Sequence, residues 1–270
     1  MRFDNSKIQF SKFDVSRRIT LPVELSEDLA YLMGFHLGDG HMRQYIRSFG
    51  ALESTIFYDG HSINEYSHYK QNICPLIKRL FNYRCKIKII KDRNNLRIII
   101  GSRTIVDFMH LQCGIPLGPK MNINIPGIIK NADIRIKRAF LRGLADTDFS
   151  LTFKKRVKTG YYPVIDFQTN CKSLHEDTKS LLIDLDFKIV HNYRISKRYS
   201  KLHDSYYIQI SGRNQLKKWM NEVGFSSPNH ITRYLVWKKL GYLPTGTNIL
   251  KRLDMLKEKT PSMRLELMTL

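Results

Sequence analysis

The sequence predicts an α+β protein made of two tandem αββαββα units, each a four-stranded antiparallel sheet with helices on one face. Residues 32–40 (LMGFHLGDG) recur as residues 141–149 (LRGLADTDF), at an offset of 109 from Gly34 to Gly143. Residues 98–103 (IIIGSR) likewise match residues 208–213 (IQISGR), at an offset of 110. The helix and strand signals follow both recurring segments in the same order. Self-similarity at nearly one offset indicates a duplication whose halves are related by pseudo-twofold symmetry.

Each half opens with a helix that carries the recurring segment. Ser26 is the expected N-cap of the first helix, which runs through Leu29 and His36. The second helix begins near Asp133 and runs through Leu144. Apolar residues at helical spacing predict that one face of each helix is buried.

The later elements follow from periodicity in the same way. In the first half we expect strands at 42–46 and 54–58, an amphipathic helix at 73–80, strands at 85–90 and 96–100, and a helix at 104–112. In the second half we expect strands at 150–155 and 162–168, a helix at 174–185, strands at 188–195 and 206–210, and a helix at 214–223. Basic and apolar residues alternate over residues 84–89 (RCKIKI), so the sheet face away from the helices should be polar.

The chain divides into five parts on this reading. Residues 1–24 form an N-terminal extension, 25–114 the first repeat, 115–130 a linker, 131–225 the second repeat, and 226–270 a C-terminal helix and tail. Three prolines, three glycines and two asparagines between Gly114 and Lys130 indicate the linker. The tail from Ile249 onward is expected to be a short helix or disordered.

Composition limits the class of partner. The 270 residues include 45 Lys and Arg against 24 Asp and Glu, a net charge of +21, with 42% hydrophobic residues that can form a core. A basic folded protein of this kind suits nucleic acid, because cationic side chains displace counterions from phosphates. The basic residues are spread along the chain, which disfavours a membrane surface. With no apolar run of about 20 residues, no signal peptide and four scattered cysteines, we expect an intracellular protein of the cytoplasm or an organelle.

Small residues four apart line one face of each opening helix. Gly34 and Gly38 do so in the first helix, and Gly143 and Thr147 in the second. Such spacing allows two helix backbones to approach closely. These four residues are therefore the candidate interface between the repeats.

An acid ends each of these two helices, Asp39 in the first and Asp148 in the second. If the helices pack at their small residues, the two carboxylates meet at one end of the interface. Two adjacent carboxylates repel each other unless a cation lies between them. Mg²⁺ binds through one or two carboxylates together with substrate phosphate, and such a site could support phosphodiester hydrolysis.

The segments YLMGFHLGDG and FLRGLADTDFS resemble the two copies of the LAGLIDADG motif of homing endonucleases, in the monomeric two-repeat arrangement. The resemblance extends over residues 25–225. It implies a monomeric endonuclease that cleaves a long, specific site in double-stranded DNA with Mg²⁺ or Mn²⁺. The implied metal ligands are Asp39 and Asp148 with the backbone of Gly38 and Thr147. Phe149 departs from the motif, where the family usually has glycine.

The resemblance also implies a basic residue near the metals, often a lysine after the last strand of the repeat. That place holds Arg103 and Arg213, which we take as the candidate catalytic cations, with Lys154 and Lys172 as the alternatives. Polar and basic strand residues are candidate contacts to bases and phosphates, since Arg and Lys suit guanine and Asn or Gln suit adenine. The DNA-binding candidates are Arg43, Arg47, Arg84, Lys86, Lys88, Arg97, Lys154, Arg156, Lys172, Asn192, Arg194 and Gln209.

Two alternatives use the same basic sheets. One is a catalytically silent DNA-binding regulator, which retention of both acids disfavours. The other is an RNA maturase that binds intron RNA, and substrate preference would separate it from the endonuclease. The chain starts with Met1 and lacks the terminal residues of protein splicing, so a freestanding or intron-encoded protein is expected rather than an intein.

Overall fold

A computed structural model describes residues 1–48, 50–90, 93–120, 122–156, 160–198 and 201–257, with the side chains at 156, 196–198 and 201–203 left aside. A short 3₁₀ turn, Asn5–Lys7, precedes the first α-helix. The α-helices are α1 (Lys12–Ser16), α2 (Glu27–Asp39), α3 (Tyr66–His68), α4 (Cys74–Phe81), α5 (Arg103–Asp107), α6 (Gly127–Lys130), α7 (Ile134–Asp148), α8 (Lys172–Asp184), α9 (Arg213–Glu222), α10 (Pro228–Leu240) and α11 (Ile249–Lys257). The candidate N-cap of α2 is observed, because Ser26 Oγ accepts from the Leu29 N–H at 3.2 Å.

The eight strands form two antiparallel sheets of the same topology. They are β1 (Gly40–Ile46), β2 (Leu52–His61), β3 (Ile87–Ile90), β4 (Asn95–Gly101), β5 (Phe149–Arg156), β6 (Gly160–Thr169), β7 (Ile189–Arg198) and β8 (Lys201–Ser211). The first sheet has the order β1-β2-β4-β3 and the second β5-β6-β8-β7. Two four-stranded antiparallel sheets with helices confirm the α+β prediction.

Helices α2 and α7 pack against each other at the centre of the molecule. A Cβ placed on Gly34 would lie 2.0 Å from the Phe140 carbonyl oxygen. In the reciprocal contact, a Cβ on Gly143 would lie 2.0 Å from the Tyr31 carbonyl oxygen. The two helix backbones therefore touch at positions where any larger side chain would separate them.

Phe149 stands where the first repeat has Gly40, and its larger side chain is accommodated by a smaller residue one turn earlier in the helix. Gly40 has an extended backbone that any residue can adopt, with φ −81°, but a Cβ there would lie 2.5 Å from Nδ1 of the buried His36. At the offset of 109, His36 corresponds to Ala145, whose small side chain leaves room for Phe149. The Phe149 ring stacks on Phe167 with centroids 4.8 Å apart. The chain after both acids is therefore extended in the two repeats, with φ −93° at Phe149.

Several predicted elements differ in extent, among them β8, predicted at 206–210, which spans Lys201–Ser211. The strand predicted at 85–90 begins at Ile87, because the Tyr83 hydroxyl takes the place of a neighbouring strand: it lies 3.3 Å from the Gly101 N–H and 3.5 Å from the Ile99 carbonyl. The helix predicted at 73–80 is preceded by α3 and a π-helical segment, Tyr69–Ile73. The helix predicted at 104–112 is α5 continued by a second π-helical segment, Phe108–Gln112.

The segments before the first repeat and after the second pack on other parts of the protein, as far as the structure describes these segments. Residue Phe3 of the N-terminal extension packs edge-on against Phe108, and α10 and α11 pack on each other beyond the second repeat. The rest of the predicted tail, residues 258–270, lies outside the described residues. Among the residues that are described, no helix combines the length and apolar character that crossing a bilayer requires.

Candidate metal and nucleic-acid site

The two motif aspartates lie side by side at the C-terminal ends of α2 and α7. A Cβ placed on Gly38 would lie 1.8 Å from Thr147 Oγ1 and 3.0 Å from Asp148 Oδ1, so the helix ends are in direct contact. Each aspartate directly precedes the first strand of a sheet. The packing of Gly38 on Thr147 thus places the two carboxylates where the two repeats meet.

Both carboxyl groups have a raised pKa. Burial raises the pKa of Asp148 to about 6, although the ammonium of Lys120 acts to lower it. For Asp39, burial raises the pKa well above its usual value, and the charges of Glu65 and Asp148 raise it further. Tyr69 Oη, 3.5 Å from Asp39 Oδ2, acts in the opposite direction as a hydrogen-bond donor. The site therefore favours a bound cation, which would relieve the unfavourable ionisation of both groups.

A lysine from the linker interacts electrostatically with both acids. Lys120 Nζ donates to the carbonyl oxygens of His36, Leu37 and Gly38 at 3.0, 2.9 and 2.5 Å. It also lines a cleft of about 570 Å³ together with Asp148. Burial lowers the pKa of Lys120, and its attraction to Asp148 and Asp39 opposes that shift. The ammonium thus neutralises the negative C-terminal end of α2 beside the carboxylates.

Sequence reasoning missed Lys120 because it lies about 80 residues from the first motif, in a segment assigned as a linker. A signal was present: Lys120 stands between Pro119 and Met121, in a stretch otherwise rich in apolar and turn residues. Only the path of the chain past the end of α2 brings this lysine to the acids.

The structure corrects the prediction for Arg103. Strand β4 runs in the same direction as β1, away from Asp39, and Gly40 is opposite Ile98 across β2. Gly101, the last residue of β4, lies three residues further on, about 10 Å at 3.3 Å per residue. Arg103 lies beyond that end, where its Nε is 3.3 Å from Asp107 Oδ2.

The same register moves Arg213 away from the site in the second sheet. Phe149, next to Asp148, is opposite Ile208 across β6, whereas β8 continues to Ser211 before Arg213 begins α9. The Arg213 guanidinium lies 5.9 Å from the centre of the Trp237 ring. Neither arginine reaches the carboxylates, because each follows a strand that leads away from them.

Three of the predicted DNA contacts share the face of the first sheet that is turned away from the helices. Arg43 and Arg97 follow buried residues of their strands, and Lys88 is opposite Arg97 in the ladder, so all three lie on this face. Arg97 Nε is 2.5 Å from Asp59 Oδ1. The Arg43 guanidinium lies 5.0 Å from the centre of the Phe57 ring, an aromatic residue of this face that sequence reasoning did not single out.

The corresponding face of the second sheet forms an open groove of about 620 Å³ that begins at Asp148. Four predicted contacts line it: Lys154, Asn192, Arg194 and Gln209. Tyr207, not predicted, lies beneath the Arg194 guanidinium at 5.4 Å. The groove therefore connects one motif acid to a row of hydrogen-bonding side chains.

Four of the other predicted contacts lie outside the strands. Arg47 follows β1 in its hairpin and is paired with Glu53, and Lys172 is the first residue of α8. Arg84 and Lys86 precede β3 rather than lying on it, because the strand begins at Ile87. Arg156 ends β5, and its side chain is outside the described part of the structure.

The residues at the helix ends fit a hard divalent cation. Two carboxylates are the ligand count with which Mg²⁺ commonly binds when substrate phosphate and water complete its shell. Within the described residues, no cluster of three or more His, Cys, Asp or Glu side chains is arranged to hold a metal alone. The Gly38 carbonyl already accepts from Lys120, so a metal there would share that oxygen, which has two lone pairs.

The raised pKa of Asp148 predicts a pH-dependent stability. Between the usual carboxyl pKa of 3.8 and about 6, the unfolded state has lost a proton that the folded state retains, so stability falls as pH rises through this interval. We expect Asp148→Asn to raise the melting temperature of the metal-free protein at pH 8 and to leave it nearly unchanged at pH 4. Thermal melts of both forms across pH test this, and a wild-type advantage at pH 8 would contradict it.

Solved structures of known proteins share this architecture. A structure of mesophilic variants of the homing endonuclease I-DmoI aligns with a TM-score of 0.52 at 20% identity, covering 74% of this chain and 96% of that one. I-DmoI in complex with DNA and Mn gives the same TM-score at 21% identity, with 74% and 98% covered. The LAGLIDADG meganuclease I-AabMI bound to uncleaved DNA aligns at 0.50 and 13% identity, with 85% and 98% covered.

Sequence comparison adds two curated relatives and a family model. A tRNA-splicing ligase RtcB of Methanopyrus kandleri is 24% identical over 209 residues, 73% of this chain, and a replication factor C small subunit of Methanocaldococcus jannaschii is 24% identical over 213 residues, 78% of this chain. The chain spans only 20% and 10% of their respective lengths. The model of the LAGLIDADG-like domain matches residues 135–224, the second repeat. The predicted resemblance is confirmed: this chain has the LAGLIDADG fold in its single-chain, two-repeat form.

Proposed function

We propose that this protein is a site-specific endonuclease of double-stranded DNA that depends on Mg²⁺ or Mn²⁺. The observation that carries the proposal is the meeting of Asp39 and Asp148 at the ends of α2 and α7, each at the start of a strand whose sheet presents polar side chains. A duplex lying along both sheets would bring phosphates of its two strands to the two acids. Solved relatives bound to DNA, one of them with Mn, support this reading.

Different side chains of the two sheets would supply affinity for DNA and preference for its sequence. Arg43, Arg97 and Arg194 carry guanidinium groups suited to guanine edges or to phosphates, and Asn192 and Gln209 carry amides suited to adenine. Several of these groups have acceptors within the protein; Gln209 Nε2, for example, donates to Asp166 Oδ1 at 2.5 Å. Such partners hold the side chains in place before DNA arrives, which limits the entropy lost on binding.

The chain's own groups at the helix ends bind, orient and balance charge. A divalent metal bound there would activate water and stabilise the leaving oxygen of a phosphodiester. Asp39 and Asp148 would hold it, with the Gly38 and Thr147 carbonyls as candidate further ligands. Lys120 keeps positive charge beside both carboxylates, where a phosphate would otherwise meet an uncompensated negative site.

Replacing Lys120 with methionine removes this charge and keeps much of the side-chain volume. We expect cleavage to slow by about 10- to 100-fold, as for other groups that support the ligands of a metal. Duplex binding should persist. Because Lys120 lowers the pKa of Asp39 and Asp148, the pH at which cleavage reaches half its maximum should rise in the variant. Cleavage measured against pH on one duplex target tests both effects.

Lys130 provides the matched control, since it is in the same linker but pairs with Asp177 at 2.6 Å. Lys130→Met should leave the rate and its pH midpoint unchanged. A Lys120→Met variant that is slower without any movement of the pH midpoint would show that Lys120 acts only through the fold of the linker.

A cleavage selection on a randomised duplex library with Mg²⁺ tests the proposed function. Recovery of one long, partly palindromic cut site, absent with the Asp39→Asn, Asp148→Asn double variant, is the expected result. Absence of cutting together with tight binding to one duplex would support the silent regulator. Preferential binding of folded intron RNA would support the maturase. Either outcome would overturn the proposal that this protein is an endonuclease.

A further inference from the structure

The N-terminal extension contributes to a basic groove at the far end of the first sheet. Arg17 and Arg18, which follow α1, line it together with Lys78 of α4 and with Arg84 and Lys86 before β3. The groove has a volume of about 620 Å³, and no carboxylate side chain lines it within the part of the chain described. All five cations are exposed to solvent.

The five cations of this groove differ in their pairing from three basic residues of the sheets. Arg43 pairs with Glu53, Arg97 with Asp59, and Lys154 approaches Asp166. None of the five groove cations forms an ion pair among the residues that the structure describes. A concentration of uncompensated like charges is unfavourable in the isolated protein and becomes favourable when an anion binds.

Hydrogen bonds hold the extension in place. Arg17 Nη1 donates to the Gly101 carbonyl at 2.7 Å, and Asn82 Nδ2 donates to the Arg18 carbonyl at 2.8 Å. The buried carboxylate of Asp14 accepts from Thr104 Oγ1 at 2.9 Å. These contacts fix the path of the extension on the first repeat, so its cations are presented by an ordered surface.

The groove continues the polar face of the first sheet. Ile99 lines the groove and is 44% exposed on the sheet face, directly opposite Phe57 in the ladder. At the corresponding place in the second sheet, Asp186 stands three residues before β7, as Arg84 stands three residues before β3, and Asp186 pairs with Lys218 at 3.2 Å. The first repeat therefore has a cation where the second repeat has an acid.

We propose that this groove binds backbone phosphates of the DNA duplex beyond the first sheet, so that the protein's footprint is extended on the first-repeat side only. This inference rests on the proposed function for the choice of duplex DNA as ligand. Phosphate contacts by unpaired cations add affinity without reading sequence. The extended flank would therefore orient the protein on a nearly symmetric target.

The test neutralises three groove cations that are not needed to hold the extension, in the variant Arg18→Asn, Arg84→Gln, Lys86→Gln. Asparagine suits position 18, whose φ is +55°. Binding to a duplex is measured by fluorescence anisotropy against salt, with EDTA present. The slope of log K against log salt should become shallower by about 0.9 per lost contact, roughly 2 to 3 in total. A matched control, Lys217→Gln, Lys238→Gln, Lys251→Gln, removes three exposed lysines of the second half and should leave the slope unchanged.

A second measurement uses the target duplex shortened on one flank at a time. Wild-type affinity should fall by about tenfold or more when one flank is removed and should be insensitive to the other, and the triple variant should lose that difference. Equal salt slopes for variant and wild type, or equal sensitivity to both flanks, would overturn the inference. The salt measurement can use any duplex and does not depend on cleavage. A groove that does not bind phosphates can therefore be distinguished from a protein that does not cleave DNA.

Discussion

Asp39→Asn and Asp148→Asn are each expected to abolish double-strand cleavage and to leave duplex binding largely intact. Asparagine keeps the shape of the side chain but removes the charge that a divalent cation needs. We expect the rate to fall by at least about 10³-fold, which corresponds to about 4 kcal/mol of transition-state stabilisation. The measurement is a cleavage time course with Mg²⁺ beside an anisotropy titration of the same duplex.

Asp186→Asn is the matched control for these variants. Asp186 is an exposed acid of the second repeat with φ +59°, a conformation that asparagine tolerates. Its replacement should leave cleavage unchanged. Full cutting by Asp39→Asn or Asp148→Asn would exclude these carboxylates as metal ligands. Nicking of one strand by a single variant would instead assign each acid to its own strand.

Gly143→Ala is expected to destabilise the whole protein. Its new Cβ would lie 2.0 Å from the Tyr31 carbonyl oxygen and 2.8 Å from the Phe35 nitrogen, atoms of a helix backbone that cannot rotate away. Separation of α2 and α7 would open the central interface, so we expect a loss of about 3 kcal/mol or more in the free energy of unfolding. That corresponds to a fall of roughly 6–12 °C in melting temperature for a chain of this size. Differential scanning calorimetry measures it.

Gly127→Ala is the comparison at a position with free space. Gly127 is the first residue of α6, and no atom lies within 4 Å of a Cβ placed there. This variant should match or slightly exceed wild-type stability, because alanine restricts the unfolded chain more than glycine. A Gly143→Ala protein with wild-type stability would show that α2 and α7 do not meet at their glycines.

The small-residue spacing and the terminal acids are readable from the sequence because both are local patterns that occur twice. The offset of 109 from Gly34 to Gly143 is also the offset from Asp39 to Asp148, so the repetition alone identifies the two helices as equivalent. The alternation of basic and apolar residues likewise predicts polar sheet faces, and Arg43, Arg97 and Lys88 lie there.

Asp146 shows the limit of such local reasoning. Its position two residues before Asp148 predicts a structural or solvated side chain without deciding between them, and the structure shows the first, since Asp146 is buried. It accepts from Tyr31 Oη at 2.7 Å and from the Ser226 and Ser227 N–H groups at 3.0 and 2.9 Å. These partners come from the first repeat and from the segment before α10, distant in sequence. Burial raises the pKa of Asp146 to about 7 despite these hydrogen bonds.

The fold class, the duplication and the two acids followed from residue periodicity and repetition, which record local backbone geometry and which face is buried. The cation beside the acids did not, because Lys120 reaches them through the path of a linker and the expected Arg103 and Arg213 follow strands that run the other way. Strand direction, register and loop path are set by contacts between residues far apart in the chain. Those contacts arise only when the chain folds into its tertiary structure, and they decide which charges surround the carboxylates.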